Sequence, residues 1–244
     1  MKKKILLFGY GKWGKRILPS LKKIFSVTKI LRSEDSYEVL SDQSISWGFV
    51  ATPTNTHYQI TKRLLTKKLN VFCEKPLSSN FKNSKKLIDF SKKQKRKLYI
   101  SDIEIFKNKK IILKKKNFII RKKKSNMKIN EIPDSLVYHD FYILFSHLKN
   151  KKLKYKDIFI GYKILKFKII AGRNIFCFVY DINSKYLVHR INNCNYNTKL
   201  NYLPKMFQKI SNGKVNYSLN HSRSLFASKN TDRLKRYILK NTKN

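Results

Sequence analysis

Acidic residues are scarce in this sequence of 244 residues, in which 14 Asp and Glu stand against 56 Lys and Arg and give a formal net charge of +42. Such a charge attracts polyanions, so a nucleic acid or an anionic lipid surface is one interpretation. The other is compositional drift, because the chain is crowded with Lys, Asn and Ile, whose codons are rich in A and T. The basic residues are mostly Lys and are scattered along the whole chain. This distribution favours drift over a dedicated nucleic-acid-binding arm.

Cysteines are few and long apolar runs are missing. Cys73, Cys177 and Cys194 are odd in number and far apart, so they form neither a disulfide framework nor a paired zinc-ligand spacing. No apolar stretch approaches membrane-spanning length, and the apolar run at residues 5–8 is too short for a signal peptide. The 41% hydrophobic content nevertheless predicts a folded core. We therefore expect a cytoplasmic protein with no metal site and no membrane partner.

Glycine and proline are also rare, with 7 and 5 residues, so no obvious linker marks a domain boundary. Residues 1–106 alternate short apolar strands with helices, which predicts an α/β domain with a doubly wound parallel sheet. Pro19 is expected to kink or shorten the first helix. The predicted strands are residues 4–8, 27–31, 46–51, 71–73 and 97–100, and the predicted helices are 12–24, 56–67 and 83–94.

The pattern changes after about residue 106, and residues 107–244 predict a smaller α+β domain with a mostly antiparallel sheet. Lysine clusters alternate with apolar triplets over residues 107–124, which we interpret as two strands with an exposed face. A helix is predicted over 134–148, and a helical tail over 203–240 with a break at 211–213. The β-rich runs are residues 158–160, 164–170, 175–180 and 186–191.

A glycine loop, GYGKWG at residues 9–14, directly follows the first predicted strand. In such a loop Gly9 permits the tight turn, Gly11 lets the backbone approach a pyrophosphate, and Gly14 lets helix and strand pack closely. The start of the following helix offers N–H groups and the positive end of its dipole to that anion. Because a loop of this kind also occurs by chance, its interpretation as a dinucleotide site depends on the motifs that follow.

The end of the second predicted strand bears on the choice of cofactor. A dinucleotide site usually has an acidic residue about twenty positions after the glycine loop, where it binds the ribose 2′-hydroxyl. Arg32 and Ser33 occupy that place here. A cation with a hydroxyl suits a 2′-phosphate better, which favours NADP. Glu34 would serve NAD instead if the alignment is displaced by two residues.

Two further motifs follow predicted strands: ATPTNTH at residues 51–57 and VFCEKPLS at residues 71–78. Open α/β sheets bind their ligands at the carboxyl ends of the strands. Thr54 and Asn55 supply short polar groups that can also cap the next helix, whereas His57 is given no chemical role. Lys75 places a cation at the same edge of the predicted sheet.

The order and spacing of these three motifs resemble the nucleotide-binding half of the Gfo/Idh/MocA family of oxidoreductases, strongly over residues 3–105 and more weakly to residue 148. The resemblance implies an N-terminal Rossmann domain that binds NAD(P), and a second half shorter than is usual in the family. It also implies that Lys75 acts at the junction of nicotinamide and substrate, and that a cis bond precedes Pro76. The residues expected to bind the cofactor are Gly9, Gly11, Lys12, Trp13, Gly14, Arg32, Ser33, Thr52, Pro53, Thr54, Asn55, His57, Glu74, Lys75 and Pro76.

A second catalytic residue is implied within DSLVYHD at residues 134–140. The family typically has an Asp and, one helical turn later, a His that donates or accepts a proton. His139 follows Asp134 by five residues rather than four, so the two are not expected to share a helix face cleanly. We assign the catalytic role to His139, with Asp140 and Asp134 as the next candidates.

The sequence thus predicts an NAD(P)-dependent oxidoreductase that moves a hydride to or from a carbonyl or alcohol carbon. The substrate implied by the resemblance is a sugar, a sugar nucleotide or a related polyol. The alternative is a catalytically decayed relative that binds the cofactor as a scaffold or sensor, motivated by the shortened second half and the irregular spacing before His139. Nucleic-acid binding ranks third, with generic polyanion affinity and no specific nucleic-acid partner. The resemblance also allows a homo-oligomer formed through the C-terminal sheet.

Overall fold

The computed structural model describes residues 1–32, 35, 38–107, 109–198 and 200–241. Within these residues the chain divides into two compact units. The first comprises Met1–Phe106 and Asn201–Leu225, and the second comprises Lys107–Leu200 and the residues from Phe226 onward. The sequence pattern did not anticipate that residues 201–225 return to the first unit.

The first unit alternates strands and helices, as predicted. Its described strands pair in parallel in the order β2-β1-β3-β4-β5, so the order reverses beside β1. This is the predicted doubly wound α/β arrangement. Pro19 lies inside the first helix, which nevertheless runs to Ile24, so the predicted shortening is wrong. The elements are β1 (Lys4–Phe8), α1 (Lys12–Ile24), β2 (Ser26–Leu31), β3 (Trp47–Val50), α2 (Thr54–Thr66), β4 (Asn70–Cys73), α3 (Phe81–Lys93) and β5 (Leu98–Ile100), with short 3-10 turns at Glu38–Ser41 and Ile103–Lys107.

Helices cover both faces of this sheet, which is why β1, β3, β4 and β5 are almost continuously buried, whereas the edge strand β2 is mostly exposed. On one face, α1 and the later helix α5 (Leu203–Ser211) pack against the strands. Phe49 and Phe72 stack there with ring centroids 4.2 Å apart, and Phe207 of α5 meets both rings edge-on. On the other face α2 and α3 pack through Ile60, Leu64, Leu65, Leu87 and Ile88.

The open edge of the sheet at β5 is closed by the start of α6 (Tyr217–Asn241). The Asn220 amide donates to the carbonyl of Ile100 and accepts from the Ile100 N–H, both at 2.9 Å. His221 places Nε2 2.7 Å from the carbonyl oxygen of Leu98. These side chains occupy backbone groups of an edge strand that would otherwise invite pairing with another chain.

The second unit is the predicted α+β arrangement with a mostly antiparallel sheet. Its described strands have the order β11-β10-β6-β9-β8-β7, and the β6–β9 pair is parallel whereas the other pairs are antiparallel. The rest of α6 belongs to this unit. Its other elements are β6 (Lys116–Lys124), a 3-10 turn (Ile129–Glu131), a π-helical turn (Pro133–Val137), α4 (Tyr138–Leu148), β7 (Leu153–Gly161), β8 (Ile164–Ala171), β9 (Asn174–Asp181), β10 (Asn183–Ile191) and β11 (Cys194–Asn195).

The prediction of two strands over residues 107–124 is wrong in its first half, because 109–115 form no strand and only β6 follows. Side-chain amides bind the backbone of this segment in place of a neighbouring strand. Asn117 accepts from the N–H of Lys114 at 2.9 Å and donates to its carbonyl at 2.7 Å. Asn192 donates to the carbonyl of Ile112 at 2.9 Å.

Candidate functional site

The glycine loop of the first unit has the geometry that its sequence predicts. Gly9 has φ of +97°, and a Cβ there would lie 2.6 Å from the carbonyl oxygen of Ala51. A Cβ on Gly14 would collide with the carbonyl oxygen of Gly9. At Gly11, by contrast, an added Cβ would meet no described atom within 4 Å. Two glycines are therefore required by packing, while the third leaves open space beside the loop.

The start of α1 is suited to an anion. Gly11 is the N-cap residue and supplies no side chain to the free N–H groups, and the first turn contains no acidic residue. Lys12 is exposed beside it. A 13-residue helix presents the positive end of its dipole at this point. The open space at Gly11 and the uncapped helix end fit a dinucleotide pyrophosphate.

Backbone hydrogen bonds align the loops that follow the strands. Gly9 donates to the carbonyl of Leu31 at 2.8 Å, and Ala51 to that of Phe8 at 2.7 Å. The same pattern recurs after the next strands. The backbone N–H of Glu74 donates to the carbonyl of Val50 at 2.9 Å, and that of Ser101 donates to the carbonyl of Cys73 at 2.8 Å. The glycine loop and the segments after β2, β3 and β4 therefore lie along one edge of the sheet, at the reversal of strand order where such folds bind ligands.

The end of β2 carries both a cation and an acid. The Arg32 side chain is exposed, and the backbone N–H of Arg32 donates to the carboxylate of Asp35 at 2.8 Å. Ser33, which was expected to bind the cofactor, lies outside the described residues, as does Glu34. Asp35 was not among the predicted site residues, although it stands only three positions after Arg32. An acidic group at this strand end suits a ribose diol, so this strand end offers both a cation and an acid to a cofactor.

The segment after β3 leads into α2 and holds a buried histidine. The N-cap residue of α2 is Pro53 without a side-chain cap, so the expected capping by Thr54 or Asn55 is wrong. The hydroxyl of Thr56 donates to that of Thr52 at 2.7 Å. His57 is 1% exposed, and each of its ring nitrogens lies 2.8 Å from a backbone carbonyl oxygen, of Thr52 and of Pro76. Its ring is thus turned into the protein, between the loops that follow β3 and β4.

The Glu-Lys-Pro motif follows β4, and the expected cis peptide bond joins Lys75 to Pro76. Lys75 is half-buried, whereas Glu74 is buried. Burial raises the pKa of the Glu74 carboxyl, and Trp13 of the glycine loop, Ser101 and the charge of Lys75 work against that rise. Burial also raises the pKa of the Cys73 thiol, so this cysteine is not a reactive thiolate.

In the second unit, His139 lies in the first turn of α4, half-buried, directly after the π-helical turn. The N–H of Tyr138 donates to the carbonyl of Pro133, five residues earlier. The expectation of poor alignment between Asp134 and His139 assumed an α-helix, and a π turn is the structure that accommodates a spacing of five. Asp134 itself forms an ion pair with Lys235 at 3.1 Å.

Asp140, the neighbour of His139, is fully buried in a polar cluster that sequence reasoning did not identify. Its carboxylate accepts two hydrogen bonds from the Arg121 guanidinium, both 2.9 Å, and one from the Tyr180 hydroxyl at 2.8 Å. His189 Nε2 lies 3.0 Å away. Burial alone would raise the pKa of Asp140, but Arg121 and His189 outweigh it and hold the pKa well below a carboxyl's usual range. Asp140 is therefore an anchor for α4 rather than a proton donor.

Comparison with known proteins supports the interpretation of the first unit. Residues 19–101 match the Gfo/Idh/MocA family model, described as an oxidoreductase family with an NAD-binding Rossmann fold. The predicted resemblance to this oxidoreductase family is therefore confirmed over this segment. The match includes Arg32, the loop after β3 and the Glu-Lys-Pro motif, and it begins after the glycine loop.

Two relatives each align with about a third of the chain. Myo-inositol 2-dehydrogenase of Thermotoga maritima is 33% identical over 76 residues, which are 31% of this chain and 22% of that protein. An uncharacterized oxidoreductase of Schizosaccharomyces pombe is 29% identical over 86 residues, 34% of this chain and 23% of that protein. The alignments thus span less than a quarter of either relative.

Solved structures resemble the chain over nearly its whole length. A UDP-N-acetylglucosamine 3-dehydrogenase from Acidithiobacillus ferrooxidans has a TM-score of 0.75 at 10% identity, covering 93% of this chain and 96% of that one. A dehydrogenase from Clostridium difficile has a TM-score of 0.74 at 17% identity, covering 99% and 100%. At these identities the likeness shows the fold alone.

Among the described residues, no helix combines the length and apolar character needed to cross a membrane.

Proposed function

We propose that the protein is an NAD(P)-dependent oxidoreductase that moves a hydride between the nicotinamide and a carbonyl or alcohol carbon. The observation that carries this proposal is the alignment, along one sheet edge, of an open glycine loop, an uncapped helix start and the Lys75 loop. When bound, the cofactor supplies or accepts the hydride. Gly9, Gly11 and Gly14 shape the pyrophosphate site, and the segment 52–55 lines the same edge.

Lys75 is the proposed proton donor. In the direction of reduction, the carbonyl carbon gains a hydride and its oxygen gains a proton, so a cation beside that oxygen stabilises the developing negative charge. Lys75 is half-buried at the end of β4, where less water screens its charge. In the direction of oxidation the same amine, deprotonated, takes the proton of the alcohol.

His139 of the second unit is the proposed second proton-handling residue. Its neighbour Asp140 is held by Arg121 and Tyr180, which fixes the first turn of α4. Asp134 is neutralised by Lys235 at 3.1 Å, so it is less suited than His139 to take up a proton. The role of His139 is tested separately from that of Lys75.

The proposed substrate is a sugar, a sugar nucleotide or a related polyol, which would place the protein in carbohydrate metabolism. Two relatives support this class by their names, the myo-inositol 2-dehydrogenase and the UDP-N-acetylglucosamine 3-dehydrogenase. We further propose that the protein works in the cytoplasm and has no specific nucleic-acid partner. We also propose homo-oligomer formation through the second sheet. It is supported by Phe118 and Phe159, which are exposed there, each beneath a lysine ammonium.

The competing function is cofactor binding without turnover, as a scaffold or sensor. It is favoured by one observation: the sequence match to the family stops at residue 101, so the second unit shares only the fold. Measurable oxidation of any member of a panel of polyols and sugar nucleotides would exclude it. Cofactor binding with no turnover across that panel would favour it.

Binding of NAD(P) is the first expected result. At about 100 times its Kd, the cofactor should stabilise the folded protein by about 2.7 kcal/mol, which thermal unfolding measures. Gly11→Val is a sharp control, because a Cβ at this position meets no described atom within 4 Å and the side chain occupies the space proposed for the pyrophosphate. We expect the variant to unfold near the wild-type temperature without a cofactor-induced shift. A full shift in Gly11→Val would contradict the placement of the pyrophosphate.

Arg32 is expected to favour NADPH. Replacing it with Asp exchanges an attraction to the 2′-phosphate for a repulsion and leaves the ribose diol with a second acid beside Asp35. A charged hydrogen bond contributes roughly 1.5–3 kcal/mol, so NADPH affinity should fall about tenfold to a hundredfold while NADH affinity holds or improves. Isothermal titration measures both. Arg96→Asp is the control, because it makes the same charge change at an exposed site before β5, away from the proposed cofactor loops. It should alter the affinity for neither cofactor. Equal losses of NADPH and NADH affinity in Arg32→Asp would refute the role of Arg32 in cofactor choice.

A further inference from the structure

An open cavity at one end of the second sheet is lined by cations. Its volume is about 610 Å³, which lies within the range of roughly 300–1,000 Å³ that is usual for small-molecule sites. Four of its lining residues are basic, namely Lys151, Lys152, Lys154 and Arg173, and among the described residues that line it none is acidic. A concave surface lined by one sign of charge concentrates ligands of the opposite sign.

The topology of the sheet brings these cations together from two separate stretches of chain. β7 and β9 both pair with β8 and begin at the end of the sheet where β8 finishes. The loop from α4 to β7 carries Lys151 and Lys152, and Lys154 lies on β7 itself. The turn from β8 to β9 consists of Gly172 and Arg173. Gly172 has φ of +62°, a conformation that glycine adopts at no steric cost, and the tight turn holds Arg173 at the same sheet end.

One of the cations is already oriented by the protein. Lys151 Nζ donates to Asn174 Oδ1 at 3.1 Å, and Asn174 Nδ2 donates to the carbonyl of Lys114 at 2.9 Å. The backbone before β6 thus fixes the amide, and the amide fixes the ammonium. An ammonium has three N–H donors, so two of them remain for a ligand. A group that is held in place before binding loses less conformational freedom when the ligand arrives.

The charges of this cavity are not neutralised by carboxylates of the same unit. The described acidic residues of the second unit have hydrogen-bond or ion-pair partners outside the cavity, namely Glu131, Asp134, Asp140, Asp157, Asp181 and Asp232. The positive potential also reaches α4, where burial and, after it, the charge of Lys151 lower the pKa of His147. The compensating negative charge is therefore expected from a ligand.

The lining matches phosphate in geometry and in charge. The guanidinium of Arg173 can bind two oxygens of one phosphate, whereas an ammonium binds as a point charge. One phosphate group carries about −1.5 to −2 charges at pH 7, so four cations match two such groups. Ile170 is the apolar side chain among the described lining residues, which leaves phosphate as the main recognised group. A cavity, unlike a groove that follows a backbone, favours a small molecule over a nucleic acid.

We propose that this cavity is a second anion site, which binds a small molecule that carries two linked phosphate groups. It is formed by residues 150–174 of the second unit, whereas the glycine loop belongs to the first unit. The site is therefore distinct from the proposed pyrophosphate site of the cofactor. The inference goes beyond the proposed function and does not depend on hydride transfer.

Inorganic pyrophosphate is the probe for this site, and isothermal titration measures its binding. The titration is made at about 0.15 M salt, where exposed charges more than about 8 Å apart are largely screened, so the net charge of the whole chain contributes little. Wild-type protein and Gly11→Val are both titrated, because the variant closes the glycine loop to pyrophosphate. We expect one saturable binding event to persist in Gly11→Val. Loss of all saturable binding in Gly11→Val would overturn the second site.

The double variant Lys152→Gln with Arg173→Gln tests the location of the binding event. Both side chains are exposed, so the fold should survive, and the affinity for pyrophosphate should fall about tenfold or more because charged hydrogen bonds are removed. Lys124→Gln with Lys185→Gln is the matched control, because it removes the same charge from exposed positions at the opposite end of the same sheet. Equal losses of affinity in the two double variants would mean general charge attraction and would overturn the proposal.

Two further measurements test the location and the class of ligand. In the wild-type protein, the backbone amide NMR signals of Gly172 and Arg173 should shift and saturate as pyrophosphate is added, which requires no variant; unmoved signals would overturn the site. A single-stranded oligonucleotide is titrated beside pyrophosphate. Tighter binding of the oligonucleotide, lost in Lys152→Gln with Arg173→Gln, would overturn the assignment to a small molecule. Failure of the proposed function would show differently, as the absence of any cofactor-induced shift in the unfolding temperature.

Discussion

Lys75→Met is expected to lower kcat by about 10²–10⁴, the usual contribution of a positioned acid or base, while cofactor affinity stays near the wild-type value. Methionine keeps much of the length and apolar contact of the lysine stem and removes the ammonium. The side chain is only half-buried, so the fold should tolerate the change. The glycine loop, not Lys75, carries the proposed pyrophosphate site. Steady-state kinetics together with cofactor titration separate the two effects.

Lys93→Met is the matched control for Lys75→Met, because it removes the same charge from an exposed position at the end of α3. It should leave kcat unchanged. Full activity in Lys75→Met would discard the mechanism, whatever the cofactor data show. His139→Asn should likewise lower kcat while cofactor affinity stays near the wild-type value. A loss for Lys75 without one for His139 would keep hydride transfer and move the second proton-handling role to another residue.

The first unit was largely predictable because its signals are local. Each strand is a short apolar run that ends at a glycine or a polar motif, and α1 was predicted with the bounds that it has, Lys12–Ile24. Two local expectations failed there, the capping of α2 by Thr54 or Asn55 and the shortening of α1 at Pro19. Ile17, Leu18 and Leu21 are buried on the same helix, and this packing outweighs the local cost of a proline.

The features that escaped prediction depend on contacts between distant parts of the chain. Asn220 pairs with Ile100 across 120 residues, and nothing in the pattern around Asn220 indicates that it closes a sheet edge. The sequence offers Asp140 as the next candidate after His139 for proton transfer, whereas its carboxylate is buried in contact with Arg121 and Tyr180, which are distant in the chain. The predicted helix over 134–148 assumes the α period throughout, whereas residues 133–137 form a π turn, which changes which residues align.

Asp140→Asn is expected to destabilise the second unit by about 3–5 kcal/mol, the usual cost of breaking a buried ion pair. The amide keeps the shape of the carboxylate but leaves the buried Arg121 guanidinium without a counter-charge, and it replaces one acceptor of the cluster by a donor. Urea unfolding followed by circular dichroism measures the loss. Asp157→Asn is the matched control in the same unit, because Asp157 pairs with Lys168 at 2.7 Å with both side chains exposed. Asp157→Asn should lower the free energy of unfolding by no more than about 1 kcal/mol.

Lowering the pH should reduce the difference in the free energy of unfolding between the wild-type protein and Asp140→Asn. The pKa of Asp140 is lowered in the folded protein relative to about 3.9 for an unfolded aspartate. Its stabilising contribution is therefore fully present above pH 4 and is lost as the pH falls from the unfolded value towards the folded one. The variant has no carboxylate at this position to protonate, so its stability should fall less steeply below pH 4. Urea midpoints for both proteins between pH 7 and pH 2.5 measure this convergence. A difference that stays constant over that range would mean that Asp140 is not the ionised centre of the cluster, and that its hydrogen bonds alone hold α4.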